Sequence, residues 1–190
     1  MLSKTLLKVY NFFYKKINNQ KKNELLNSKV YQIEIGLKFQ FDFLKNTFKV
    51  QKEAIVNIGN TVQFKDYCSI WVDENSKLVI GNNVFFNNYC SLNSLKGIYI
   101  GDYTIFGEGV KLFDHNHKIL GMNEILQNQG CSLGEIHIGT NCWIGSNVTI
   151  LKNVTIGDNV VIGAGNLIFK NIPSNVIIKQ SVNKIIEQRF

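Results

Sequence analysis

Six isoleucines, Ile138, Ile144, Ile150, Ile156, Ile162 and Ile168, follow one another at intervals of six residues without a slip. A helix repeats its apolar face about every 3.6 residues and a strand every two, so neither produces a strict period of six. One aliphatic side chain per six residues points inward instead, and the chain turns a corner before the next. Glycine follows most of these isoleucines (Gly139, Gly145, Gly157, Gly163), and a small or β-branched residue stands four positions after (Cys142, Val148, Val154, Val160). A short strand followed by a tight corner needs those residue types in that order.

Three such steps close one triangular coil of eighteen residues, the signature of a hexapeptide-repeat β-helix. Upstream, the ladder appears at Ile58, Phe64 and Ile70, then Ile80, Phe86 and Leu92, then Ile100, Phe106 and Leu112, which makes five coils in all. Their starts at 58, 80, 100, 138 and 156 exceed an eighteen-residue spacing by four, two, twenty and none, so one long excursion leaves the stack at 113–136. The expected fold is all-β, a parallel β-helix over 31–178.

The ends differ from the repeat. Tyr31, Ile33, Ile35, Leu37, Phe39, Phe41 and Phe43 alternate with mostly polar residues, which predicts a strand over 31–43 serving as an imperfect first coil that covers the open end. Within 1–30, Leu2, Leu6, Val9, Tyr10, Phe13 and Ile17 keep the spacing of one helical face and predict an α-helix over about 2–18. Pro173 is the only proline; it donates no hydrogen bond and stops the ladder. Beyond it, Val176–Ile178 reads as a last strand and 179–190 as a short closing helix.

The net charge of +7 and pI near 9.2 would by themselves suggest nucleic acid. Residues 1–30, however, hold seven lysines against Glu24, seven minus one or +6, so the remainder is near neutral and no nucleic-acid partner is expected. The N-terminal helix has two readings: its apolar face packs on the main domain or a neighbouring subunit, or residues 1–22 rest on an anionic membrane surface. No run approaches the roughly 18 apolar residues of a membrane span, and a signal peptide's apolar block is missing, so the cytoplasm is expected. There Cys68, Cys90, Cys131 and Cys142 stay reduced. Their spacings match no zinc template, and no metal ligands are assigned.

Candidate chemistry concentrates where the excursion opens, at Phe113-Asp114-His115-Asn116-His117. An imidazole titrating near neutrality suits removal of a proton from an alcohol or amine, and loops on rigid scaffolds are where sites are built.

The ladder, the W-I-G-S-N-V-T-I run at Trp143, the A-G-N-L-I-F-K-N-I-P run at Ala164 and the histidine-bearing loop together resemble the hexapeptide-repeat acyltransferases. Within them the chain is most similar to galactoside and maltose acetyltransferases and to sugar O-acetyltransferases of capsule and O-antigen synthesis. The resemblance implies a left-handed parallel β-helix assembled as a homotrimer, with acetyl-CoA in a groove between adjacent subunits. It points to His117 as general base, with His115 as the alternative, orienting its neighbour or contacting substrate. Phe85-Phe86-Asn87-Asn88 resembles a segment whose asparagine holds the acceptor hydroxyl and the oxyanion, a role for Asn88; the other reading of Asn88 is a corner residue stabilising a turn. Ser146 and Ala164 would offer backbone groups to the pantetheine arm, and Lys170 and Lys184 would face the nucleotide phosphates. The family's terminal pattern survives only in Lys184, and Arg189 stands nearby.

The implied reaction is direct transfer from acetyl-CoA to a sugar or polysaccharide hydroxyl without an acyl-enzyme. The segment Lys118–Glu135, with Gln127, Asn128 and Gln129, is expected to line the acceptor pocket. Acceptors of the same chemistry are an amino sugar, serine or a xenobiotic alcohol. Outside it stand a γ-class carbonic-anhydrase-like metal protein, using His115, His117 and His137, and a non-catalytic scaffold.

Overall fold

A computed structural model describes residues 4–121 and 125–179; the closing helix and Lys184 expected in the C-terminal segment lie outside the described residues. Helix α1 (Lys4–Leu26) precedes a β-solenoid of six turns. The first turn holds β1 (Gln32–Ile35) and β2 (Thr47–Val50), the second β3 (Ile55–Ile58), β4 (Gln63–Phe64) and β5 (Ser69–Val72). The third holds β6 (Lys77–Ile80), β7 (Phe85–Phe86) and β8 (Ser91–Ser94), the fourth β9 (Gly97–Ile100), β10 (Ile105–Phe106) and β11 (Lys111–Phe113). A hairpin of β12 (His115–His117) and β13 (Cys131–Leu133) then leaves the stack. The fifth turn comes next with β14 (Ile136–Ile138), β15 (Trp143–Ile144) and β16 (Thr149–Leu151), the sixth with β17 (Val154–Ile156), β18 (Val161–Ile162) and β19 (Leu167–Ile168), and β20 (Ile177–Ile178) begins a partial seventh.

Turns two to six each contribute one strand to each of three parallel sheets, and the first turn supplies two of the three. Face A is β1-β3-β6-β9-β14-β17, face B is β4-β7-β10-β15-β18-β20, and face C is β2-β5-β8-β11-β16-β19. The six-residue ladder is the inward column of each face: Phe64, Phe86, Phe106, Ile144 and Ile162 stack on face B. The Phe64, Phe86 and Phe106 rings lie nearly parallel with centroids 4.1 and 4.4 Å apart, each burial worth ~2–3 kcal/mol.

The corners explain the spacing. Three residues past each inward side chain the backbone turns left-handed: Asn141, Asn147, Asn153 and Asn159 have φ of 52°, 57°, 59° and 55°. Asparagine tolerates that conformation better than other L-residues. On the edge between faces A and B, side chains also join the coils vertically: Asn60, Asn82, Asp102 and Asp158 accept the backbone N–H of Leu37, Asn60, Asn82 and Thr140 at 2.7–2.9 Å. The Thr140 amide and hydroxyl hold the Asp158 carboxyl below its ordinary range.

Two expectations change. The alternating stretch 31–43 is a strand only at Gln32–Ile35; the chain then turns at a corner, with Lys38 at φ 58°, and Leu37 points to solvent. Phe41 and Phe43 close the end of the core against Phe64 and Phe48 instead of continuing the strand. The helix runs eight residues past the expected end at 18, to Leu26, because its second half is anchored on the first turn. Leu25 is buried, Asn18 Oδ1 accepts Phe43 N–H at 2.6 Å, and the Tyr14 hydroxyl donates to Asp42. Tertiary contact supplies what the local apolar pattern lacks. The bond to Asp42 pushes the Tyr14 hydroxyl up from 10.0 to about 12. Its folded value is the higher one, so its contribution is complete below pH 10 and lost as pH rises through 12.

Glycines stack where coils touch. A Cβ on Gly101 would lie 2.6 Å from the carbonyl carbon of Gly139 and 2.8 Å from Thr140 N, both backbone that cannot yield. Gly101→Ala is therefore expected to destabilise the solenoid by about 2–3 kcal/mol, read from the midpoint of denaturant unfolding.

Candidate active site

Asp114 roots the hairpin. Its backbone position continues the inward column of Val50, Val72 and Ser94 on face C, so its carboxylate enters the interior and is fully buried. A buried charge is tolerated only when hydrogen-bonded. The short corner Ser94–Gly97 of the turn below provides this: three successive amides converge on one point, with Leu95 N at 2.8 Å, Lys96 N at 2.7 Å and Gly97 N at 2.7 Å, and Ser94 Oγ donates at 3.2 Å. Such a run of amides is an anion-binding nest, here filled by the protein's own side chain. The Asp114 carbonyl also accepts Gly134 N–H at 2.8 Å, joining the two legs of the hairpin.

His115 comes next, half-buried, with Nδ1 3.2 Å from Asp114 Oδ1 and the Phe113 ring set edge-on at 6.2 Å. An imidazole that donates from Nδ1 to a carboxylate presents the lone pair of Nε2. His117 is exposed, pairs across the hairpin with Cys131, and has Nδ1 3.9 Å from that thiol. With Ile119, Leu126 and Gln127 it lines a largely apolar cavity of about 460 Å³. Of the three amides expected in the acceptor pocket, Gln127 is in this wall. Gln129 is not: it is buried, its Oε1 accepts Leu120 N–H at 2.5 Å and its Nε2 donates to Gly121 O at 3.2 Å, so it holds the loop in shape.

Asn88, Ser146 and Ala164 each stand two past an inward residue, in one column on the edge between faces B and C. Asn88 does serve its corner: its Oδ1 accepts Asp66 N–H at 3.1 Å, and its own N–H goes to Asn87 Oδ1 at 2.8 Å. That leaves the Nδ2 donor, which among the described residues meets no protein acceptor. The amides of Ser146 and Ala164 likewise have no protein acceptor among the described residues, whereas the corresponding amides on the A–B edge are met by side chains of the next turn. Unpaired amides eighteen residues apart fit carbonyls of a linear ligand lying along that edge. Lys170 is exposed just past face C, its Nζ 5.7 Å over the Phe169 ring. The candidates thus form two groups within one chain: Asn88, Ser146 and Ala164 on the B–C edge, and His115, His117 and Lys170 where face C ends.

His137 is elsewhere, on face A, its ring stacked on Tyr99 at 4.5 Å and its Nε2 3.1 Å from Glu135 Oε2. Among the described residues no group of three or more His, Cys, Asp or Glu is placed to hold a metal ion. Cys68, Cys90 and Cys142 are buried free thiols filling the corner slots, and burial pushes the Cys142 thiol up.

Residues 135–170 match the family model described as bacterial transferase hexapeptide (six repeats). Turns five and six carry these hexapeptide repeats. No curated protein matches the chain. Among solved structures, the hexapeptide solenoid resembles a mutant of AntD, an N-acyltransferase from Bacillus cereus, in complex with dTDP-4-amino-4,6-dideoxyglucose and coenzyme A, with a TM-score of 0.64 at 18% identity over 90% of each chain. It also resembles the polysialic-acid-specific acetyltransferase NeuO, with a TM-score of 0.53 at 17% identity over 83% of this chain and 87% of that one. A hexapeptide-repeat acetyltransferase from Vibrio cholerae O1 biovar eltor, complexed with acetyl-CoA, gives 0.51 at 19% identity over 88% and 78%.

Sequence reasoning passes over Asp114 as a functional residue, yet the signal is present: it stands two past Leu112 as Val72 stands two past Ile70, an inward slot. Asp114→Ala leaves the amides of Leu95, Lys96 and Gly97 without an acceptor and should cost about 2–4 kcal/mol, with faster hydrogen exchange at those three positions; Asp114→Asn, which keeps an acceptor oxygen, should fall between.

Proposed function

We propose that this hexapeptide solenoid transfers an acetyl group from acetyl-CoA to a sugar hydroxyl, in the cytoplasm, during synthesis of a surface polysaccharide such as capsule or O-antigen. The observation that carries the reading is His117, an exposed imidazole in the wall of a 460 Å³ cavity toward the tip of the inserted hairpin. The coenzyme A and acetyl-CoA complexes of similarly folded proteins support the donor.

In this reading the His117 imidazole takes the proton of the acceptor hydroxyl as its oxygen adds to the thioester carbonyl carbon. Asn88 Nδ2 donates to the oxygen that becomes negative. Breaking the carbon–sulfur bond releases CoA thiolate, to which His117 returns the proton. His115, fixed by Asp114, holds the hairpin so that its neighbour faces the cavity, and Gln127 meets sugar hydroxyls. Ser146 and Ala164 amides bind the pantetheine arm, with Lys170, and Lys184 beyond the described residues, for the phosphates.

This site requires a second copy, because the two groups of residues lie apart in one chain. A closed ring of three copies joins one edge of each copy to a different edge of the next at every contact, and that is the homotrimer we propose. A homotrimer also gives a partner to the outward column of face B, Phe85, Ile105, Trp143, Val161 and Ile177, of which Ile105, Trp143 and Ile177 are exposed. Transfer to an amine is the second reading, favoured by the likeness to an N-acyltransferase holding a 4-amino sugar nucleotide.

Acceptor sugars screened with acetyl-CoA, reading free thiol, should give turnover and a product labile to mild base; a base-stable product assigns the amide reading. His117→Ala should lower kcat by about 10²–10⁴, and an unchanged rate refutes the general-base role and favours a scaffold. Stoichiometric zinc without acyl transfer would favour the metal protein. Trp143→Glu should reduce the trimer to monomers on size-exclusion chromatography and abolish turnover together; active monomers would refute the shared site.

A further inference from the structure

We propose that α1 docks this protein on an anionic lipid surface. The helix carries three rows. One faces the solenoid through Tyr14, Asn18 and Leu25, by the bonds to Asp42 and Phe43 and by burial. A second, Val9, Phe13 and Ile17 at i, i+4 spacing with Tyr10 and Phe12 beside it, is left in solvent; Phe12 is 64% exposed and Phe13 53%. The third, Lys8, Lys15 and Lys22 at seven-residue spacing, runs along the side away from the apolar row, with Lys16 and Lys21 adding to the positive charge.

The apolar row is not the means of packing on the solenoid, because a different row of the same helix performs that task. Five large apolar side chains grouped on one side of an exposed helix call for a cover. Charge selects it. No acidic residue precedes Glu24 in α1, and outside residues 1–30 the chain's net charge is about +1, seven minus six. Lys16 and Lys21 border the apolar row, so a second copy packed against that row would bring these lysines together, and the rest of the surface offers no acidic excess to meet them. An anionic bilayer offers both an apolar layer for the aromatic row and negative charge for the lysines, which attract within a Debye length. Among the described residues no helix is long and apolar enough to cross a membrane, so α1 lies on the surface rather than through it.

The test is co-sedimentation of the full chain with vesicles of phosphatidylcholine containing about a third phosphatidylglycerol, against phosphatidylcholine alone. Retention on the mixed vesicles only is expected, weakened about tenfold or more at ~1 M salt, where screening shortens to ~3 Å. Lys8→Glu with Lys15→Glu, and separately Phe12→Ser with Phe13→Ser, should each weaken retention about tenfold or more while thermal unfolding stays as in the parent. Equal retention on both vesicles, or retention indifferent to both pairs of substitutions, overturns the proposal. So does a parent that ignores vesicles while the Phe12 and Phe13 changes shrink its oligomer, since the apolar row then belongs to a second copy.

Discussion

Hydrogen bonds between successive turns fix the register of this molecule, and nearly everything else depends on them. In each sheet the partners pair one to one, Ile105 with Trp143 and Phe106 with Ile144, even across the hairpin insertion between turns four and five. A slip of one residue would turn every inward isoleucine outward, so the buried ladder and the backbone ladder enforce the same alignment. The chain can depart only at a corner and must return to the position it left. The hairpin does so: it leaves after Phe113, and Ile136 returns directly above Ile98.

That constraint explains the buried carboxylate. An excursion of this length has many ways to lie on the surface, and an aliphatic residue at position 114 would fill the interior without orienting the hairpin. A carboxylate bound to three amides of the lower turn has one geometry, and the bond from Gly134 to its backbone oxygen closes the far leg. Burying the charge is costly and the amides offset it, so the arrangement contributes direction more than stability. His115 inherits that direction through its bond to Oδ1, and the hairpin pairing passes it to His117.

The repeat was legible because one side chain per six residues enters a core with room for nothing else. Ile138 to Ile168 shows it without interruption, and the asparagines three past the isoleucines are a second signal of the same corners. Where several arrangements satisfy the same pattern, legibility failed. Tyr31 to Phe43 alternates like a strand, yet a corner at Lys38 divides it, because at the end of a stack aromatic residues cover the core rather than line it. Residues 19–26 of α1 lack an apolar stripe, yet Leu25 is buried in the core and its carbonyl accepts the Tyr31 hydroxyl, tertiary contacts that the local pattern does not show. The histidines were visible as a cluster; the carboxylate behind them was passed over, since an aspartate beside histidines reads as loop chemistry although its place two past Leu112 matches an inward slot.

The same register decides what one chain can and cannot do chemically. Residues eighteen apart lie one above another, so Ser146 and Ala164 present unpaired amides along a single edge, a linear array for a linear ligand. The imidazoles leave from a different edge, and face C, with Lys111, Thr149 and Leu167 outward, stands between them. A rigid prism cannot fold one edge onto another. A reaction that needs an imidazole beside a ligand on the B–C edge therefore calls for the edge of another copy. In the proposed transfer, the stack that makes a single chain rigid is thus also what calls for a groove between chains.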